Sequence, residues 1–314
     1  MVGVAWKIIL IGTPHGAQVN DMVIEAEGPF DVRGDGAGDA AGPARSDVPD
    51  AIDPVIADLP QAALIARITG ATIPDRLRAA CAAIEGRLVF TTSFGIEDQL
   101  IAHHIFTEKL PIEIVTLDTG RLFPSTYTLW QETEERYGVR IKSFHPDAAA
   151  VAAMVADAGI NGFYYSKDAR ISCCNVRKVE PLGRALAGAA AWVTGLRADQ
   201  SGQRAAVDLA AWDAERGLLK LAPLYDWTRD RVAAECAALG VPVNALHAKG
   251  FLSIGCEPCT RALQPGEPER AGRWWWESDQ ARECGLHVGA DGRLVRSAAP
   301  AASPSKAVPS GAAA

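Results

Sequence analysis

Arg87-Leu-Val-Phe-Thr-Thr-Ser-Phe-Gly-Ile-Glu-Asp98 is the stretch that decides the fold. Its first six residues are a short apolar and β-branched run, read as a strand. Ser93-Phe94-Gly95 breaks that run, and a helix-like segment follows from Ile96 to Phe106. The same grammar recurs. Ile112 to Leu117 reads as a strand ending in Asp118-Thr119-Gly120, followed by a helix near Ser125 to Tyr137. Val139 to Phe144 is expected as a third strand and Asp147 to Ala158 as a third helix. Ala191-Trp-Val-Thr194 and Leu218-Leu-Lys-Leu221 read as later strands. A helix from about Thr228 to Leu239 is stopped by Gly240 and Pro242. Strands spaced by helices of this length imply an α/β protein, a parallel twisted sheet flanked by helices with right-handed crossovers. Ligands of such sheets bind at the carboxyl ends of the strands. Ser93, Asp118 and Gly195, each just past a strand, should therefore line one crevice. There is no internal repeat.

The 314 residues, 48% hydrophobic and 22% charged, suit one large domain with appendages. No apolar run is long enough to span a bilayer. Val4 to Ile11 is short, interrupted by Lys7, and has no basic leader or cleavage site, so a cytoplasmic location is expected. Thiols there stay reduced, which favours metal ligation or catalysis over structural disulfides for the cysteines. A net charge of −7 argues against nucleic-acid binding but not against a small anionic substrate met by local cations. Residues 1–50, rich in Gly, Ala, Asp and Pro, read as a disordered extension, with Met22 as an alternative start; residues 300–314 read as a disordered tail.

The Thr92–Asp98 loop joins a strand to a helix N-terminus, where free N–H groups and the helix dipole favour an anion. It has no Gly-Lys-Ser/Thr, so it is not a Walker A loop, and by itself it also fits an ordinary turn capped by Ser93. Arg197 and Arg204 follow a strand, Lys178 lies four residues after Cys174, and Arg270 and Arg273 precede Trp274-Trp275-Trp276. Guanidinium forks bind sulfate and phosphate oxygens bidentately. Singly each is an ordinary surface charge; together they suggest convergence on one anion.

The seven cysteines sort by spacing. Cys173 and Cys174 are adjacent, Cys256 and Cys259 form a Cys-x-x-Cys pair, and Cys284 stands alone in Glu283-Cys284-Gly-Leu-His287. Four thiolates from two distant pairs suit a [4Fe–4S] cluster, a zinc site, or simply buried thiols; the adjacent pair is awkward for a zinc knuckle. A helix from Val176 to Ala187 would put its positive end on Cys173 and Cys174. Cys284, outside the pairs, is a candidate nucleophile or a stray surface thiol. Cys81 and Cys236 sit in Ala-rich helical stretches as core residues.

Cys173-Cys174, Gly255-Cys256-Glu-Pro-Cys259, Arg270-Ala-Gly-Arg273-Trp-Trp-Trp-Glu277, Glu283-Cys284-Gly-Leu-His287, Ser93–Asp98, Leu117-Asp-Thr-Gly-Arg-Leu-Phe-Pro124 and Gly195-Leu-Arg-Ala-Asp-Gln-Ser201 stand in the order found in the assimilatory adenylylsulfate (APS) reductases, which the chain resembles over roughly residues 50 to 290. That resemblance implies an ATP-pyrophosphatase-like (adenine nucleotide alpha hydrolase-like) fold. It implies one [4Fe–4S] cluster on Cys173, Cys174, Cys256 and Cys259, and Cys284 as nucleophile on a flexible C-terminal segment. By motif, Ser93, Gly95 and Leu117 fall at nucleotide-binding positions, and Lys178, Arg204, Arg270 and Arg273 grip the phosphosulfate, Lys178 bridging cluster and substrate. Arg197 joins them as a substrate-binding candidate, although Ala198 stands where many relatives carry a second Arg. The division expected is 51–265 as the nucleotide domain with the cluster and 266–299 as the segment with the catalytic cysteine.

The activity implied is thioredoxin-dependent reduction of APS to sulfite and AMP through a Cys284 S-sulfonate, with APS and thioredoxin as partners and neither nucleic acid nor membrane. The assembly state is left open, a homo-oligomer included. The rivals are a reductase of the 3′-phosphorylated substrate (PAPS) releasing adenosine 3′,5′-bisphosphate, whose members typically lack the two cysteine pairs, and a tRNA-thiolating ATP pyrophosphatase. The latter would carry a Ser-Gly-Gly-x-Asp-Ser loop, which Ser93-Phe94-Gly95 is not. A cluster-bearing redox sensor would need a helix-turn-helix or partner surface, and no such signal is present.

Overall fold

The structure, a computed structural model, describes residues 61–277. These fall within one compact unit, Pro49–Ala314; the expected extension 1–50, Cys284 and the tail 300–314 lie outside the described residues. Strands β1 (Arg87–Thr92), β2 (Ile112–Leu117), β3 (Lys142–Phe144), β4 (Ala189–Val193), β5 (Ala210–Asp213) and β6 (Leu218–Leu221) form a six-stranded sheet in the order β3-β2-β1-β4-β6-β5. The helices are α1 (Gln61–Arg67), α2 (Ile73–Ala83), α3 (Ile96–Thr107), α4 (Pro124–Tyr137), α5 (Ala148–Ala158), α6 (Lys167–Cys174), α7 (Glu180–Leu186) and α8 (Arg229–Ala238). Among them, no helix is long and apolar enough to cross a membrane.

Alternation along each strand splits its side chains between two faces. Leu88 and Phe90 of β1 enter the larger core, and Val89 enters the smaller one. Ala191 and Val193 of β4 likewise face the larger core, and Trp192 the other. A strand buried on both faces must be apolar throughout, which is why β1 and β4 read as continuous hydrophobic runs. Leu77, Leu100, Ile101 and Val232 bring α2, α3 and α8 to the larger core; Leu182 and Leu186 of α7 close the smaller one.

Four pairings are parallel, as expected, but β5 runs antiparallel to β6 at the sheet edge, with Ala210 opposite Leu221 and Asp213 opposite Leu218. Ala-Ala-Trp-Asp is too weak a strand signal to be read without its partner. The third strand is shorter than expected. The N–H of Val139 bonds Glu134 O at 3.1 Å and that of Ile141 bonds Glu134 Oε1 at 2.7 Å, so these residues close α4 before the ladder begins.

The helix carrying the adjacent cysteines corrects an expectation. The backbone is helical without a break from Lys167 to Leu186, through α6, a π-helical turn at Asn175–Val179, and α7. It begins at Ser166, whose side chain accepts from Ala169 N, so no helix N-terminus points at Cys173 and Cys174. Their local positive charge comes from side chains instead.

A crevice joined to a cysteine-lined cavity

The sheet order places β1 and β4 side by side while their connections leave in opposite directions, and a crevice opens beyond their carboxyl ends. Ser93 to Gly95 after β1, Leu117 and Thr119 at the end of β2, and Thr194 to Leu196 after β4 line it, with Leu252 to Gly255 opposite. The loop after β1 is not the open anion cradle expected. Asp98 Oδ2 accepts from Ser93 N at 2.6 Å and Ser93 Oγ at 2.7 Å, and Phe94 N donates to Thr92 Oγ1 at 3.0 Å. Ser93 is no N-cap; Gly95 holds that position without a side-chain bond. Phe94 sits at φ 58°, a costly conformation for an aromatic residue, and is held there by burial and by stacking on Trp130 at 5.5 Å. Burial pushes the Asp98 carboxyl up to about 7, against the two Ser93 bonds and with help from neighbouring Glu97. Gly195 is required beside it, because a Cβ there would collide with the Asp98 carboxylate.

The cations gather at the other end. Lys178, Arg204, Arg270 and Arg273 line the crevice, and Arg204 Nη1 is braced by Gln200 Oε1 at 2.5 Å. Arg197 does not join them. It is 0% exposed, its Nε donates to Glu97 Oε1 at 2.9 Å, its Nη2 to Glu269 Oε2 at 2.7 Å, and its Nη1 to Asp199. As a substrate contact Arg197 is therefore corrected: it is spent neutralising buried carboxylates under the crevice. Burial and Glu97 still raise the Glu269 carboxyl, opposed by Arg197.

Cys173, Cys174, Cys256 and Cys259 line a second, smaller cavity together with Phe163, Trp274 and Arg177. Cys173 and Cys174 end α6, where the π turn begins, and such turns recur at functional sites. Thr119 Oγ1 lies 3.3 Å from Cys256 Sγ, and Arg177 Nη1 holds Thr119 O at 2.7 Å. Burial pushes the Cys259 thiol up to about 12, reinforced by Cys256 and opposed by Arg273 and Lys178; burial also raises Cys173, opposed by Arg177. Buried Arg273 Nε and Trp274 Nε1 have no hydrogen-bond partner among the described residues. Trp274, at φ 44°, is packed against the guanidinium groups of Arg170 at 4.7 Å and Arg273 at 4.6 Å. Among the described residues no three His, Cys, Asp or Glu side chains are arranged to hold a single metal ion. Cys236 lies in the main core and Cys81 against it.

Lys178 and Arg273 line both cavities. Lys178 comes from the π turn, and Arg273 lies over Gly255, where a Cβ would strike the guanidinium. The sequence brought the cysteine pairs and most of the cations to notice. It gave no sign of Arg170, Glu269 or His247, and Asp98 and Thr119 were visible only as members of quoted motifs.

A family model described as the phosphoadenosine phosphosulfate reductase domain matches residues 87–262. An adenosine 5′-phosphosulfate reductase of Agrobacterium fabrum is 54% identical over 242 residues, covering 77% of this chain and 93% of that protein. Another from Rhizobium meliloti is 58% identical over 207 residues, 66% of this chain and 78% of that one. A crystal structure of a phosphoadenylyl-sulfate (PAPS) reductase from Candida auris, a phosphate complex, superposes with a TM-score of 0.55 at 27% identity, covering 64% of this chain and 95% of that chain.

Proposed function

The chain belongs to the phosphoadenosine phosphosulfate reductase domain family, and from that membership we propose that it is an adenosine 5′-phosphosulfate reductase, converting APS to sulfite and AMP with thioredoxin as reductant. The observation that carries the mechanism is the sharing of Lys178 and Arg273 between the crevice and the cysteine cavity. The neutral adenosine belongs at the Ser93, Gly95 and Leu117 end, where Glu97 and Asp98 would repel an anion. The phosphosulfate belongs among Lys178, Arg204, Arg270 and Arg273.

The cysteine cavity fits a [4Fe–4S] cluster. Four sulfurs share it, three cationic side chains border it, and two buried N–H donors on Arg273 and Trp274 await acceptors. Cys173, Cys174, Cys256 and Cys259 would hold the cluster. When bound, it supplies a compact anionic centre beside Lys178 and Arg273 and ties α6 to the loop of the second pair.

The reaction needs an anion to attack an anion. Lys178 and the three arginines offset that repulsion and take up the charge that grows on the departing phosphate. The Cys284 thiolate attacks the sulfonyl sulfur, the bond from that sulfur to the phosphate oxygen breaks, and AMP leaves. A thioredoxin thiolate then attacks Cys284 Sγ, releasing sulfite and forming a mixed disulfide; its second thiol resolves this and returns the Cys284 thiolate, so the dithiol supplies both electrons.

The test is sulfite and AMP release from anaerobically purified enzyme with thioredoxin, offering APS and PAPS separately. Turnover of APS in preference to PAPS is expected. Cys284→Ser should keep its iron and lose all turnover; a variant that still releases sulfite removes Cys284 from the mechanism.

A further inference from the structure

Both cysteine pairs are wired to one buried carboxylate. Trp274 N donates to Cys259 O at 3.2 Å, and Glu277 N donates to Trp274 O at 2.9 Å. The Glu277 carboxylate receives Arg170 Nε and, at 3.2 Å, Arg170 Nη2. Arg170 lies on α6 three residues before Cys173, stacks on Trp274, and hydrogen-bonds the side chain of Cys174. Only 2% of the Arg170 side chain and 7% of the Glu277 side chain are exposed. A buried ion pair is costly to desolvate and is a poor device for stability alone. Its place in the chain is what distinguishes it: Glu277 is the last described residue, and Cys284 follows seven positions later.

We infer that Arg170 and Glu277 are a positioning pair that fixes the root of the C-terminal segment to the cysteine cavity, and so sets where Cys284 can reach. The inference rests on the reading of Cys284 as nucleophile. Seven residues span at most about 25 Å. Within that radius an anchored root confines the thiolate, whereas a root released from α6 lets the whole segment drift. The carboxylate touches no part of the crevice lining, so it acts through Cys284 and not on the nucleotide. The wiring also explains why the two cysteine pairs and the nucleophile share one region of the chain: whatever orders Cys174 and Cys259 orders the departure point of the segment.

The test compares Glu277→Gln with wild-type holoenzyme. Gln has the same shape but leaves the Arg170 charge without its counter-ion. Three quantities are read: iron per chain, nucleotide affinity, and the single-turnover rate of Cys284 S-sulfonation at saturating APS, followed by intact mass. Iron and affinity should stay within about twofold while the rate falls by about 100-fold, the cost of displacing a reacting group by roughly an ångström. Glu277→Asp, which keeps the charge, should recover most of that rate. Wild-type sulfonation in Glu277→Gln would overturn the inference. Parallel loss of iron, affinity and rate in both variants would overturn it too, since the pair would then merely hold the fold. Cys284→Ser, run alongside, tests the premise separately: sulfite release from it discards the nucleophile reading whatever Glu277→Gln does.

Discussion

Asp98 shows how one side chain can be both visible in a motif and misread. Its neighbours in the sequence suggest an anion loop, yet its carboxylate takes the Ser93 N–H that an anion would need. The loop is thereby closed to phosphate and shaped for a neutral group. Burial raises its pKa from the ordinary 3.8 to about 7. A folded value above the unfolded one means that the folded state holds the proton more tightly. The stabilising contribution is complete at pH below the unfolded value and is lost as pH rises through the folded one. Asp98→Asn, which stays neutral, should therefore gain stability relative to wild type between about pH 5 and about pH 8. Urea midpoints across that range would show it; a difference that does not change with pH would discard it. Arg197 makes the complementary point. Its residue type suits an anion site, but the Glu97, Asp199 and Glu269 carboxylates claim it first.

At the scale of the element, the π turn at Asn175–Val179 matters most. It lets two adjacent cysteines and Lys178 serve two cavities from one helix. In a regular α-helix each residue adds about 100° of rotation, so one inserted residue re-aims everything after it. Deleting Asn175 should restore α-helical winding and turn Lys178 away from the cysteine cavity's rim. Iron and acid-labile sulfide per chain should fall sharply, while far-UV circular dichroism stays near wild type. A deletion variant with full iron would show that the turn is not what arranges the site. The β1 loop is a second case: Gly195 from the neighbouring strand end is required by the Asp98 carboxylate, a constraint between elements nearly a hundred residues apart.

Over the whole molecule, three apolar clusters keep separate duties. Two lie on opposite faces of the sheet, and the third gathers Phe163, Cys174, Cys256, Cys259 and Trp274. Removing iron should therefore loosen the third without unfolding the other two. Chelation after oxidation is expected to raise the hydrogen exchange of 163–179 and 255–277 while the amides of β1 and β4 stay protected; uniform loss of protection would mean that cluster and sheet form one cooperative unit. Charge is partitioned in the same manner. The chain carries a net −7, yet four cations converge on one end of one crevice and acids on the other.

The sequence by itself determined the alternation of strands and helices, the strand ends that carry the crevice, and the two cysteine pairs. Each of these is written in local spacing: apolar runs buried on both faces, turn residues after them, thiols a fixed number of positions apart. Only the tertiary structure decided that β5 turns antiparallel, that the helix through Cys174 has no N-terminus there, that Arg197 is consumed by carboxylates, and that Arg170 meets Glu277. Those outcomes depend on which distant groups arrive at the same point in space, and a charge or a thiol is assigned its partner by proximity and desolvation, neither of which a linear chain records.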